Sequence, residues 1–276
     1  VFGKNGVFES IVRGIDALIA ETAADLNAEQ FSFPPVIPRA LLERSQYLGA
    51  FPQLIGSVHS FTGDDAAHAE ILRAVESSAD WGPAFTSTDV VLAPAACYPV
   101  YGIASGTLPR TGRTIDVSSY CFRHEPSADP ARMQSFRMHE VVRLASAKAC
   151  VAFRDDWLAR GMTLLKRLGL EVQCVPANDP FFGRRGRLLA ATQREQSLKF
   201  ELVVPITSRS KPTAVASANW HQDHFGELFA IHQMDGTVAH TACVGFGLER
   251  VTLALLRTHG MAVSHWSSDV RAALSL

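Results

Sequence analysis

The 276-residue chain contains no pair of cysteines at CxxC spacing. Its five cysteines, at 97, 121, 150, 174 and 243, are too scattered for a zinc finger, a thioredoxin-type motif or a secreted disulfide framework. They are left as free thiols or as metal ligands drawn from distant positions. Net charge is also lacking: 26 Lys and Arg against 27 Asp and Glu leave −1, so nothing attracts nucleic acid globally and such a partner would need a local basic patch. No apolar run approaches the roughly 20 residues of a bilayer span, and no charged-then-apolar signal segment opens the chain. No membrane is expected, and the reading is of a cytoplasmic protein. It starts at Val1 rather than Met, which suggests that residues precede it. Internal repeats and low-complexity tracts are missing too, so the chain reads as one continuous architecture.

What is present is a core-forming composition, 47% hydrophobic and 19% charged. "GVFESIVRGIDALIAETAADL" carries Val7, Ile11, Ile15, Leu18 and Ile19 near the helical period. "PRALLERSQYLGAFP" predicts a second helix, opened by Pro38 and stopped near Gly49 and Pro52. After "TDVVLAPAACYPVYG" the runs shorten and alternate, predicting strands at 115–125, 136–144, 198–206, 213–220 and 227–235, with helices near 150–168 and 247–258. Strands in runs predict an α+β fold, a mainly antiparallel sheet flanked by helices.

The densest chemistry lies in "CFRHEPSADPARMQSFRMHE", residues 121–140. Alternation along a strand would put Arg123 and Glu125 on one face. The same rule aligns Phe136, Met138, Glu140, Val142 and Leu144, leaving one carboxylate in an apolar row. A buried, unpaired carboxylate costs several kcal/mol, so Glu140 has a cation or metal partner, or a bulge exposes it. "PSADPA" is a turn-rich loop ending at Arg132. Guanidinium groups clamp phosphates and a flat ring stacks on a base, so arginines around Phe136 favour a nucleotide; solvated loop charges are the plainer alternative.

A second signal is "CVGFGLERVTLALL". Gly245 and Gly247 sit at a strand-to-helix junction and Arg250 falls in the first helical turn, within reach of terminal phosphates. As a glycine pattern it is weak, being neither a Walker loop nor a full dinucleotide fingerprint.

Together, "FRHE" followed by "RMQSF", and "GFGLER", resemble the second and third motifs of the class II aminoacyl-tRNA synthetase core. "LLERSQYLGAFP" loosely resembles the first motif, from which a homodimer is inferred. The resemblance implies that Arg123 holds the ATP α-phosphate and the substrate carboxylate, Glu125 contacts the adenine amino group and Phe136 stacks on adenine. Arg132 and the backbone at Met133 would support the triphosphate, and Arg250 would reach the γ-phosphate. Fixed charge and Mg2+ would then carry the chemistry without a general base. "SLKFELVVPI" and "TAVASANWHQDHFG" look similar to the seryl-tRNA synthetase branch. Alternation pairs Lys199 with Glu201 and Ser217 with Asn219. The resemblance makes Glu201 and Ser217 candidates for magnesium and phosphate contacts, Lys199 and the backbone from Ala214 further ATP contacts, and Asn219 a substrate contact; a charged sheet edge is the alternative for Lys199 and Glu201.

Most seryl enzymes carry Thr-x-Glu where this chain has "LAPAACYPVYG", with Cys97 in the acid's place. That change is similar to the zinc-containing methanogen type, in which Cys, Glu and Cys bind the metal. Cys97, Glu140 and Cys243 stand at the matching places, implying one Zn2+ per subunit with an open position for the substrate amine. On the residues alone each cysteine reads first as a small buried hydrophobe, and the other three keep that reading. "HQDHFG" is set aside, because His221 and His224 would point to opposite faces of a strand.

A seryl-tRNA synthetase also has a large amino-terminal tRNA-binding arm, which these heptad-free first fifty residues do not supply. The chain therefore most resembles the amino acid:[carrier protein] ligases: one catalytic domain over 1–276, a short helical segment at about 1–50, and no tRNA. Such an enzyme would make an aminoacyl-adenylate of a small amino acid, glycine or alanine, and pass it to the phosphopantetheine thiol of a carrier protein. "FFGRRGRLLAATQREQ" is a basic stretch that could dock an acidic carrier or simply be solvated. Two alternatives stay open: a tRNA-charging seryl enzyme whose tRNA domain lies outside this chain, and a regulatory paralogue that only binds nucleotide.

Overall fold

The computed structural model describes residues 3–183 and 193–276. The chain opens with α1 (Gly6–Thr22), whose first turn is capped by Asn5 accepting the Phe8 amide. Its buried stripe is Ile11, Val12, Ile15, Leu18 and Ile19. Two short strands follow, β1 (Glu29–Phe31) and β2 (Val36–Pro38), so the first fifty residues are not purely helical. The single helix expected over 38–52 is broken into α2 (Arg39–Arg44) and α3 (Tyr47–Ala50). Gln46 is left-handed at φ 58, and the Ser45 hydroxyl bonds back to the Leu42 carbonyl at 2.6 Å, which ends the first piece.

Residues 57–92 add β3 (Ser57–Phe61), α4 (Asp65–Glu76) and β4 (Phe85–Leu92), and β2-β4-β3 form a small antiparallel sheet. The sequence reading missed this sheet because β3 and β4 together bury only Val91 fully and carry little apolar alternation. Next come α5 (Tyr98–Ile103), β5 (Gly106–Thr107), β6 (Arg113–Phe122), β7 (Ser135–Ala145) and α6 (Ala147–Arg167). The remaining elements are β8 (Gln173–Pro176), β9 (Lys199–Val204), β10 (Thr213–Gln222), α7 (His224–Phe229), β11 (Ile231–His232), β12 (His240–Gly247), α8 (Leu248–His259) and α9 (Ser268–Ala273). The strand expected at 227–235 is thus mostly a helix end and a two-residue strand, separated by left-handed Ala230 at φ 52.

The main sheet has seven strands in the order β1-β6-β7-β12-β10-β9-β8. Every neighbouring pair is antiparallel except β1 with β6, so the expected α+β architecture holds. One face packs against α1, α6, α8 and α9, with Trp157, Phe246, Leu165 and Val251 fully buried. Gly161 lets α6 lie close, since a Cβ there would come within 2.8 Å of the Leu202 side chain. On this face His139 bonds Asp16 at 2.8 Å and stands 2.6 Å from Asp116, tying α1 to β6 and β7. The other face carries a second core that includes Cys97, Tyr101, Val117, Val142, Cys243 and Phe225, under α5 and α7.

Candidate active site

Strand register decides which residues share that second face. Glu201, Ser217, Gly245, Glu140 and Val117 are successive cross-strand partners and form one row across the sheet. Lys199, Asn219, Cys243 and Val142 form the next row. Because side chains alternate along a strand, Met138 and Phe136 continue the same face from β7. Residues far apart in sequence are brought together because five strands keep a common register.

Cys97 comes from the layer above, immediately before α5. Its neighbour Ala96 donates its amide to Glu140 Oε1 at 2.8 Å, so this segment is pinned over β7. The ligand atoms of Cys97, Glu140 and Cys243 all lie within 4.8 Å of one another, and all three residues are buried. Glu140 is 1% exposed in regular ladder, so no bulge carries it to solvent. Gly245 makes the space: a Cβ there would lie 3.0 Å from Met138 Cε and 3.1 Å from Glu140 Cγ.

The three groups perturb one another strongly. Burial, and then the charge of Cys243, push the Glu140 carboxyl up to about 7. The hydrogen bond with Cys243, followed by burial and Glu140, drives the Cys97 thiol well up. The Cys97 hydrogen bond draws the Cys243 thiol well down against its burial, helped by His221 and Asn219. Two thiols and a carboxylate crowded in the interior are a donor set that fits a tetrahedral zinc with one position free.

The nucleotide candidates lie alongside. β6 stops at Phe122, so Arg123 and Glu125 do not share a strand face as expected; both lie in the following loop. Arg123 instead turns over the sheet, donating Nε to the Pro94 carbonyl at 2.9 Å with its guanidinium 5.6 Å from the Phe136 ring centre. Glu125 pairs with Arg132 at 3.4 Å. Arg250 is anchored to the Ala131 and Ala214 carbonyls at 2.8 and 3.0 Å. Burial first, then the positive charges of Arg123 and Arg132, push its pKa down. Ala131, Met133, Phe136, Gly247 and Arg250 line a shallow cavity there.

Lys199 and Glu201 do share a face, 3.5 Å apart, but Lys199 is buried and held by Asp179 as well. Asp179 was missed in the sequence, where nothing marks it out. Its carboxyl is held down against burial by Lys199, a Gln193 hydrogen bond and Arg123. Asn219 bonds Ser217 at 3.4 Å and the Cys243 sulfur at 3.5 Å, so it sits beside the Cys97, Glu140 and Cys243 cluster. His221 also reaches Cys243, whereas His224 opens α7 instead of continuing the strand. Behind Phe136, Arg137 and Glu249 form an ion pair at 2.8 Å with Glu249 1% exposed, and the Arg137 amide also donates to Glu249. Cys121 and Cys150 are buried and Cys174 is exposed, all three apart from the cluster. Most of the basic stretch, 184–192, lies outside the described residues. A cavity of about 280 Å³ at the far end of the sheet, around Arg110, Gly112, Arg143 and Asp235, contains none of these groups.

No family model matches the chain. An amino acid–[acyl-carrier-protein] ligase of Bradyrhizobium diazoefficiens is 44% identical over 278 residues, covering all of this chain and 83% of that protein. A type-2 serine–tRNA ligase of Methanopyrus kandleri is 26% identical, covering 92% of this chain and 52% of that protein. Among solved structures, the seryl-tRNA synthetase of M. kandleri in complex with a tRNA superposes with a TM-score of 0.81 at 23% identity, covering 97% of this chain and 55% of that one. The fold is therefore that of the class II synthetase catalytic core. The chain belongs to the amino acid–[acyl-carrier-protein] ligase family.

Proposed function

We propose that the protein uses ATP to activate a small amino acid, glycine or alanine, and transfers the aminoacyl group to the phosphopantetheine thiol of a carrier protein. The observation that carries this reading is that the buried Cys97, Glu140 and Cys243 cluster shares one sheet face with Phe136, under Arg123. This arrangement would set an amine-binding place beside a nucleotide-binding place, as joining a carboxylate to an α-phosphate requires.

In the first step a carboxylate oxygen of the amino acid bonds to the α-phosphorus while the bond to the bridging oxygen breaks and pyrophosphate leaves. Arg123 would bind the α-phosphate and the attacking carboxylate, so that its charge follows the charge developing between them. Phe136 would stack on adenine, and Glu125 would accept from its amino group. Arg132, Arg250 and the backbone at Met133 would hold the outer phosphates. Glu201 and Ser217, cross-strand partners on the same face, would support the Mg2+ that accompanies ATP. Lys199, fixed by Asp179, and the backbone at Ala214 would complete the ATP side, while Asn219, bonded to Cys243, would contact the amino acid. Zinc on Cys97, Glu140 and Cys243 would supply a Lewis-acidic position for the neutral amine. In the second step the carrier's thiol loses its proton, its sulfur bonds to the acyl carbon, and AMP leaves with the bonding pair. A cytoplasmic homodimer, one zinc per subunit, belongs to this reading on the family resemblance.

The test is amino-acid-dependent exchange of labelled pyrophosphate into ATP. Glycine or alanine should drive exchange; no exchange with either, by zinc-replete protein, would overturn the reading.

A further inference from the structure

We infer that His221 is a positioning residue of the proposed metal centre: braced by Thr241, it donates a hydrogen bond to the Cys243 sulfur and fixes how that sulfur faces the metal. The inference rests on reading Cys97, Glu140 and Cys243 as metal ligands. Its Nε2 lies 3.6 Å from Cys243 Sγ, within range for a hydrogen bond to sulfur, and its Nδ1 lies 3.0 Å from the Thr241 hydroxyl. Thr241 is fully buried, two residues before Cys243 on β12. A Thr241 hydroxyl donating to Nδ1 leaves the ring proton on Nε2, which is the tautomer that can donate to sulfur. Tyr101 and Phe225 meet the imidazole edge-on at 6.1 and 5.1 Å and keep it in place.

His221 stays outside the three mutually close ligand atoms, so its contact is with a ligand and not part of the ligand set. Asn219 brings a second N–H to the same sulfur at 3.5 Å. Among the described residues Cys97 and Glu140 receive neither of these side chains, and of the three Cys243 carries two side-chain nitrogen donors. Donors of this kind spread the charge of a buried thiolate and set its direction, and outer partners commonly change metal affinity by about 10- to 100-fold. The plainer role, a ring that only fills space between two aromatics, predicts something different for a phenylalanine in its place.

The experiment compares zinc-loaded wild type with His221→Phe, His221→Gln and Thr241→Val. The readouts are zinc affinity by chelator competition and the sulfur-to-metal charge-transfer band of the cobalt-substituted proteins. His221→Phe keeps the packing and loses the donor; it should bind zinc roughly 10- to 100-fold more weakly and shift the band. His221→Gln keeps a donor and should recover most of the affinity. Thr241→Val should fall between, and ATP affinity should not change in any of them. Wild-type zinc affinity and an unshifted band in His221→Phe would overturn the inference alone. Should circular dichroism show that this variant does not fold, Thr241→Val decides: weaker zinc supports the inference and unchanged zinc overturns it. A wild type that holds no stoichiometric zinc would overturn the metal reading and this inference with it.

Discussion

Replacing Glu140 by glutamine should change stability in opposite directions with and without metal. Glutamine keeps the shape and the oxygen that accepts from Ala96, and removes the charge. In the metal-free protein the Glu140 carboxyl is pushed up to about 7 from an ordinary 4.5. A raised carboxyl is silent below pH 4.5, where both folded and unfolded chains are protonated. As pH rises toward 7 the unfolded chain releases the proton and the folded chain keeps it, so stability falls until the folded group ionises too. The full cost above that range is about 3 kcal/mol. In chelator at pH 8, urea denaturation should therefore find Glu140→Gln more stable than wild type by up to about 3 kcal/mol, with the gap closing by pH 4.5. In excess zinc the order should reverse, because the charged ligand then contributes to metal binding and metal binding to folding. A variant less stable than wild type in chelator at pH 8 would refute the reasoning, since it would mean that Glu140 already has an internal cation partner.

Arg250→Ala removes the guanidinium held between the Ala131 and Ala214 carbonyls; pyrophosphate exchange should drop at least about 100-fold, and a drop under threefold would remove it from the phosphate site. Glu249→Ala leaves Lys4 and the Arg137 amide without their acceptor, while the Arg137 guanidinium keeps Glu9, which should cost about 1–3 kcal/mol in urea denaturation; a loss below about 0.5 kcal/mol would show that the pair is not structurally important. Gly245→Ala puts a methyl 3.1 Å from Glu140 Cγ, so bound zinc should fall relative to wild type while far-UV dichroism is unchanged; full zinc content would mean that Glu140 and Met138 can move aside.

Much of this arrangement was legible in the sequence because it depends on strand periodicity. Glu140 in an apolar row, Lys199 with Glu201, and Ser217 with Asn219 all take the faces that alternation assigns. What alternation cannot supply is register between strands, and register puts Glu201, Ser217, Gly245 and Glu140 in one line. Arg123 was misplaced because the strand ends one residue before it and the side chain is redirected by the Pro94 carbonyl. Asp179 was invisible, and His221 was weighed only as a metal pair with His224, for a related reason: each touches a partner distant in sequence, Lys199 in one case and Cys243 in the other. The broken helix at Gln46 and the short strand after Ala230 both follow from left-handed residues that are not glycine, which sequence patterns do not announce.

The central claim is tested most directly by the choice of acceptor. The protein is charged with ATP and labelled glycine or alanine, then offered a phosphopantetheinylated carrier protein and, separately, tRNA. The account predicts label in thioester linkage on the carrier and none on tRNA; label on tRNA with none on the carrier would contradict it.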